Sequence, residues 1–146
     1  MKKLIFALIC ILSILLAALA AEKEKPVSIS AFPKAAQVII KTHFNKEKVS
    51  FTKTETEWLG KSYDVIFVNG DKIGFDRNGN WEEIDCRFSQ VPPALIPAEI
   101  VKHISASYPN EKILKIDRDS HDYEVQLSSG LEIKFNMDFQ VIDIDR

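Results

Sequence analysis

Cysteine is scarce: of two in 146 residues, Cys10 lies in an apolar N-terminal run and Cys86 stands alone in the remainder. No internal disulfide framework is available after export, so stability must come from an apolar core, which about 125 residues can supply. Cys86 itself reads as a small, half-buried strand-end residue. The three histidines, His43, His103 and His121, have no His or Cys partner at metal-ligand spacing, which argues against zinc. With only five glycines there is no glycine-rich phosphate loop, and Gly74 alone proves nothing. A basic excess is also missing, since 19 basic residues face 21 acidic ones. Nucleic acid and anionic membrane surfaces, which need basic patches, are excluded as partners.

The one long hydrophobic run is at the start. Lys2 and Lys3 precede LIFALICILSILLAALA, and small residues lead to Glu22. This is the basic, apolar and A-x-A pattern of a signal peptide over residues 1–20, cleaved after Ala20. An uncleaved anchor is the competing reading, because the run nearly suffices to span a bilayer. Cys10 is badly placed for lipidation, with most of the apolar segment still to come. Cleavage removes two lysines and leaves a net charge of about −4 from the −2 of the whole chain, with no stable membrane insertion expected. Residues 21–31 read as a flexible leader.

The remainder of the chain is repetitive. YDVIFVNGDKIGFDRNGNWEEID, residues 63–85, returns at residues 123–145 as YEVQLSSGLEIKFNMDFQVIDID. Tyr63, Val65, Gly70, Ile73, Phe75 and Ile84 each find their like sixty positions on. Both copies have the short alternating runs and turn residues of a β-meander. Asn69-Gly70 and Asn78-Gly79 suggest type I′ turns, whereas Asp138-Phe139 suggests a longer or looser one. Before each meander an apolar stripe opens on proline: Pro33 with Ala36, Ile40 and Phe44, and Pro97 with Ile100, Ile104 and Tyr108. The helix offset exceeds the meander offset by four, which places a longer first hairpin around Trp58-Leu59-Gly60-Lys61. The expected fold is α+β: two tandem repeats, each one helix followed by a four-stranded antiparallel meander, with the helices on one face of the sheet. Repeat 1 spans residues 32–87, a proline-bearing linker residues 88–94, and repeat 2 residues 95–146, forming one domain over 32–146.

Alternation assigns the faces. Tyr63, Val65, Phe67, Ile73, Phe75 and Ile84, with Tyr123, Val125, Leu127, Ile133, Phe135, Ile142 and Ile144, should meet the helices. The other face of the second repeat is polar throughout. In the first repeat it should carry Ile66, Val68 and Trp81, with Trp58 from the long hairpin, among Asp64 and Glu83. An apolar, tryptophan-bearing patch with a charged rim has the composition of an interface. The plainer alternative is that Trp81 folds over its own sheet edge or covers the other repeat.

No catalytic constellation emerges. Cys86 with a histidine would make a nucleophile pair, but one thiol and three scattered histidines are what chance alone supplies. Asp76 to Asn80 faintly echoes a calcium loop but is too short and lacks the bidentate glutamate. Asp143 and Asp145 share a strand face, as solvated acids commonly do, instead of flanking a glycosidic bond. Catalytic residues, metal and cofactor are therefore all expected to be none.

The doubled openings Phe32-Pro33 and Ile96-Pro97, the helix ends Phe44-Asn45 and Tyr108-Pro109, the Tyr-x-Val strands and the closing Trp81-x-x-Ile84-Asp85 and Val141-x-x-Ile144-Asp145 together resemble the PepSY-like family of exported bacterial proteins. The tandem units of that family look like those of the β-lactamase inhibitory protein. The resemblance implies a non-enzymatic periplasmic or secreted protein that binds or inhibits an envelope protein or peptide, such as a peptidase or other hydrolase, through the open sheet face. This chain lacks cysteine pairs within its repeats, so no inhibitory contact carries over. A small-ligand carrier with a pocket between sheet and helices is the alternative, and a hydrolase using Cys86 or Asp85 a remoter one.

Overall fold

The computed structural model describes residues 24–58 and 60–146. The expected signal peptide, the start of the leader and Leu59 lie outside the described residues. Nine strands form one sheet in chain order: β1 (Glu24–Pro26), β2 (Val49–Glu57), β3 (Gly60–Phe67), β4 (Lys72–Phe75), β5 (Trp81–Asp85), β6 (Ile113–Arg118), β7 (Asp122–Leu127), β8 (Glu132–Asn136) and β9 (Val141–Asp145). Every neighbouring pair is antiparallel. Helix α1 (Lys34–His43) precedes β2 and helix α2 (Ala98–Ser107) precedes β6.

The helices follow from their apolar stripes. Ala36 and Ile40 of α1, and Ile100 and Ile104 of α2, are buried in the same core as Val65, Phe67, Ile73, Phe75, Ile84, Val125, Leu127, Ile133 and Phe135. Phe44 stacks on Phe67 with centroids 5.2 Å apart, and His103 meets the Phe135 ring edge-on at 5.4 Å. Neither helix has a side-chain N-cap, since Pro33 and Pro97 hold those positions.

Residues 24–31 are not the separate leader expected. β1 pairs with residues 53–55 of β2, Thr52 donates its hydroxyl hydrogen to the Val27 carbonyl, and Val27 and Ile29 pack against the core. Apolar side chains and an open strand edge together give this stretch a reason to dock.

The turns also differ from expectation. In the β3–β4, β4–β5, β7–β8 and β8–β9 turns, an amide three residues on donates to the carbonyl at the turn's start: Gly70 to Phe67, Gly79 to Asp76, Gly130 to Leu127 and Phe139 to Asn136. Only the donating residue has positive φ, at 93°, 86°, 88° and 60°. These are three-residue loops with one left-handed position, not type I′ turns, and Asn69 and Asn78 need no positive φ. The fourth turn is neither longer nor looser. Asn136 Oδ1 accepts from the amides of Asp138 and Gln140 as Asp76 Oδ1 accepts from those of Asn78 and Asn80, and Phe139 rests on Tyr123 at 5.6 Å.

β5 carries the main correction. Gly74 pairs with Glu83, but Phe75 pairs with Trp81, so Glu82 is an extra residue in the strand. A bulge of one residue reverses the parity of everything beyond it. Trp81 therefore turns to the helix side and is only 6% exposed, instead of standing on the open face. The same irregularity in β9 pairs Phe135 with Val141 and makes Ile142 the extra residue, exposed and outside the core. Ile144 keeps its expected side, opposite Ile133, yet stays 51% exposed because β9 is the sheet's outer strand.

Candidate functional site

The open face of the sheet is dominated by a row of charges. Cross-strand pairing sets Lys53, Asp64, Gly74, Glu83, Asp117, Glu124, Lys134 and Asp143 side by side. Lys72 Nζ lies 2.9 Å from Glu83 and 3.9 Å from Asp64, and Lys115 Nζ lies 3.3 Å from Glu83 and 2.9 Å from Asp117. Lys53 and Lys134 extend the ladder to Asp64 and Glu124. Glu83 thus bridges two lysines. Burial pushes its carboxyl upward, but Lys72 and Lys115 more than offset this and hold it below the usual range. At Asp64 and Asp117 burial wins over the neighbouring lysines and raises the carboxyls. Gly74 belongs to this arrangement, because a Cβ there would sit 2.9 Å from Asp64 Oδ1.

Asp64 and Glu83 are therefore on the open face as expected, but as members of an ion-pair network. Ile66 shares their face and is half-buried opposite Phe51, which is exposed. Val68, just past the strand end, is exposed, and Phe88 from the β5–β6 connection lies over Gly70, 3.0 Å from where a Cβ would be, with its ring open to solvent. Phe51, Ile66, Val68 and Phe88 thus all lie toward one end of β2 and β3, an apolar corner of the sheet. Trp58, 90% exposed, lies at the other end, across the eight residues of β3. At about 3.3 Å per residue this is a span of more than 20 Å. The structure keeps Ile66 and Val68 together, places Trp58 apart and removes Trp81.

Phe51 and Phe88 were missed because β2 is rich in threonine and charge, and because Phe88 sits beside prolines in a stretch read as linker. The exposed aromatic side chains themselves were the available signal.

Two clefts open at the Trp58 end of the sheet. One, of about 360 Å³, is lined by residues including Glu57, Lys61, Asp76 and Arg77, and the other, of about 590 Å³, by residues including Asp76, Trp81, Arg118, Asp119 and Tyr123. Neither lies between sheet and helices, where Val65, Ile73, Phe75, Ile100, Val125 and Phe135 are fully buried. Among the described residues no group of three or more His, Cys, Asp or Glu side chains is placed to hold a metal ion.

Cys86 is buried beside Asp71 and Ser89. Burial, reinforced by the Asp71 charge, pushes its thiol up to about 12, far from the range of a nucleophile. Asp71 Oδ2 accepts hydrogen bonds from Asn69 Nδ2 and Ser89 Oγ, each at 2.9 Å, tying the β3–β4 turn to the β5–β6 connection.

Known proteins share this outline. The family model described as "Putative beta-lactamase-inhibitor-like, PepSY-like" matches residues 19–58 and 61–143. A solved structure of a periplasmic protein from Bacteroides vulgatus ATCC 8482 is 54% identical, with a TM-score of 0.83, 84% of this chain covered and 97% of that one. A protein of Bacteroides thetaiotaomicron, described as "a putative calcium-regulated periplasmic protein", is 50% identical with a TM-score of 0.83, over 86% of this chain and 99% of its own. A second Bacteroides vulgatus periplasmic protein, of unknown function, is 33% identical with a TM-score of 0.78, over 84% and 99%. None of the curated proteins matches. These relatives are described as periplasmic, in agreement with the export expected from the sequence, and among the described residues no helix is long and apolar enough to cross a membrane.

Proposed function

The chain belongs to the PepSY-like family, and we propose that it is a non-enzymatic binding module of the cell envelope, an inhibitor or regulator of an envelope peptidase or hydrolase. Its docking surface is the open-face corner of Phe51, Ile66, Val68 and Phe88, rimmed by the ion-pair ladder. The observation that carries this reading is that Phe51, Val68 and Phe88 are all exposed at the same end of β2 and β3, with Phe51 opposite Ile66 on the charged open face and Phe88 over Gly70. Apolar anchors with a charged surround are how a small surface gains both affinity and selectivity. Phe51, Ile66 and Val68 belong to the first of the two helix-and-meander units, and Phe88 to the connection that follows it.

The test is retention of a protein from an envelope extract by the mature chain, with the Val68→Asp/Phe88→Asp double variant as control. Both sites are exposed, so the variant should melt within a few degrees of the wild type. Loss of one retained protein, whose activity can then be assayed for inhibition, supports the corner; equal retention by folded variant and wild type would overturn it.

A carrier role is less well supported, because the expected cavity is filled by side chains and the clefts lie at the sheet end. Calcium regulation is not part of this reading either. Asp76 already accepts from the amides of Asn78 and Asn80 and from Asn80 Nδ2 to close its hairpin.

A further inference from the structure

The chain contains its own example of what fits the outer edge of β9. By the sixty-residue correspondence Glu83, Ile84, Asp85 and Cys86 align with Asp143, Ile144, Asp145 and Arg146. On β5 the outer edge is filled by β6: Asp117 stands opposite Glu83, Ile116 opposite Ile84 and Lys115 opposite Asp85. The Cys86 amide donates to the Leu114 carbonyl at 2.7 Å, and Lys115 Nζ reaches Glu83 at 3.3 Å. Ile84 is consequently 0% exposed.

Among the described residues the corresponding groups on β9 have no such neighbour: the strand pairs there with β8, and Ile142 and Ile144 are exposed. The amides of Ile144 and Arg146, the latter the counterpart of the Cys86 amide, donate to the Oδ1 atoms of Asp143 and Asp145 at 3.0 and 2.7 Å. The inner neighbour adds a second difference. Asp85 faces Lys72 across the strands, but Asp145 faces Glu132. Directly opposed like charges destabilise a sheet, and the cation that would relieve them is the one that β6 brings to β5 as Lys115.

We propose that β9 is a docking strand for an extended segment of a partner protein that alternates apolar and cationic side chains. The segment adds antiparallel, sets an apolar side chain on Ile144, brings a lysine or arginine beside Asp143 and Asp145, and replaces the aspartate oxygens on the two amides with its own carbonyls. A second copy fits poorly. Antiparallel self-pairing of β9 would bring its aspartates together, and at the other side of the sheet β1 already pairs with residues 53–55 of β2. The inference does not rest on the corner around Ile66 and Val68, so the two readings fail separately.

The probe is a synthetic peptide copying residues 111–120, EKILKIDRDS, titrated into the mature chain by calorimetry beside a scrambled peptide of the same composition. Saturable binding of the copy is expected, weakened about tenfold or more by scrambling and by Ile144→Asp, a substitution that its exposure lets the fold tolerate. The Asp143→Lys/Asp145→Lys variant should lose the copy and gain affinity for the same peptide with Lys115→Glu. Equal binding of copy and scramble, or no binding, overturns the proposal. Sedimentation showing a dimer of the chain alone that Ile144→Asp dissolves also overturns it, by assigning the edge to a second copy.

Discussion

The Arg118 guanidinium lies over the Trp81 ring, 4.1 Å from its centroid, while Arg118 Nε donates to the Trp81 carbonyl at 2.6 Å. The contact joins the bulged start of β5 to the end of β6 and so ties the first meander to the second. Trp81 is buried with Phe75 as its strand partner, and truncation there removes core volume. Trp81→Ala should lower unfolding free energy by about 3–5 kcal/mol. Arg118→Ala should cost only about 1–2 kcal/mol, the range of a partly desolvated cation–π contact. Urea denaturation of both variants checks this. A Trp81→Ala protein as stable as the wild type would mean that the bulge does not turn the ring inward.

The difference between expected and observed positions of Trp81 shows where sequence reasoning stops. Periodicity located α1, α2 and the strands of the two meanders, because each core residue repeats at the spacing of its element, whereas β1 was read as part of a leader. A bulge leaves no such trace: Glu82 looks like any polar strand residue, yet it reverses the side on which Trp81 falls, and Ile142 does the same in β9. The turns misled for a related reason. Asn-Gly satisfies two left-handed positions, but the loops observed need only one, which Phe139 can also fill when its ring has Tyr123 to rest on. The β5–β6 junction has no local signal at all; Lys115 and Glu83 meet only when the sheet is assembled. Of the candidate surface, Ile66 and Val68 were legible from alternation, whereas Phe51 and Phe88 come to it through pairing and a chain reversal.

Cys86 should behave as a core residue and not as a reagent. With the folded thiol raised to about 12 from 9.0, its contribution to stability is present below pH 9.0 and is lost as pH rises toward 12. A Cys86→Ala variant should be less stable than wild type at pH 7, and the gap should narrow above pH 9.0 by at most about 1.4 kcal/mol per pH unit. Thiol reagents should label the wild type only as fast as it opens. Rapid stoichiometric labelling under native conditions, or a gap that stays constant to pH 11, would contradict this account.

The ladder on the open face gives a prediction with two opposite slopes. Glu83 is held below its ordinary 4.5 by Lys72 and Lys115 despite burial, so its stabilising effect is present above that pH and fades as pH falls through the lowered value. Asp117 is raised above 3.8 chiefly by burial, so its destabilising effect builds as pH rises from 3.8 to the raised value and is fully present above it. Glu83→Gln should therefore destabilise near neutrality and converge on the wild type toward pH 3, whereas Asp117→Asn should gain on the wild type as pH rises from 3 toward 7. Both side chains are partly solvated, which limits each effect to about 1 kcal/mol or less. Thermal melts of the two variants across that range, at low salt to limit screening, separate the cases. Parallel curves for the two would mean that the lysines do not distinguish Glu83 from Asp117 and that the row is a solvated face without an internal order of charges.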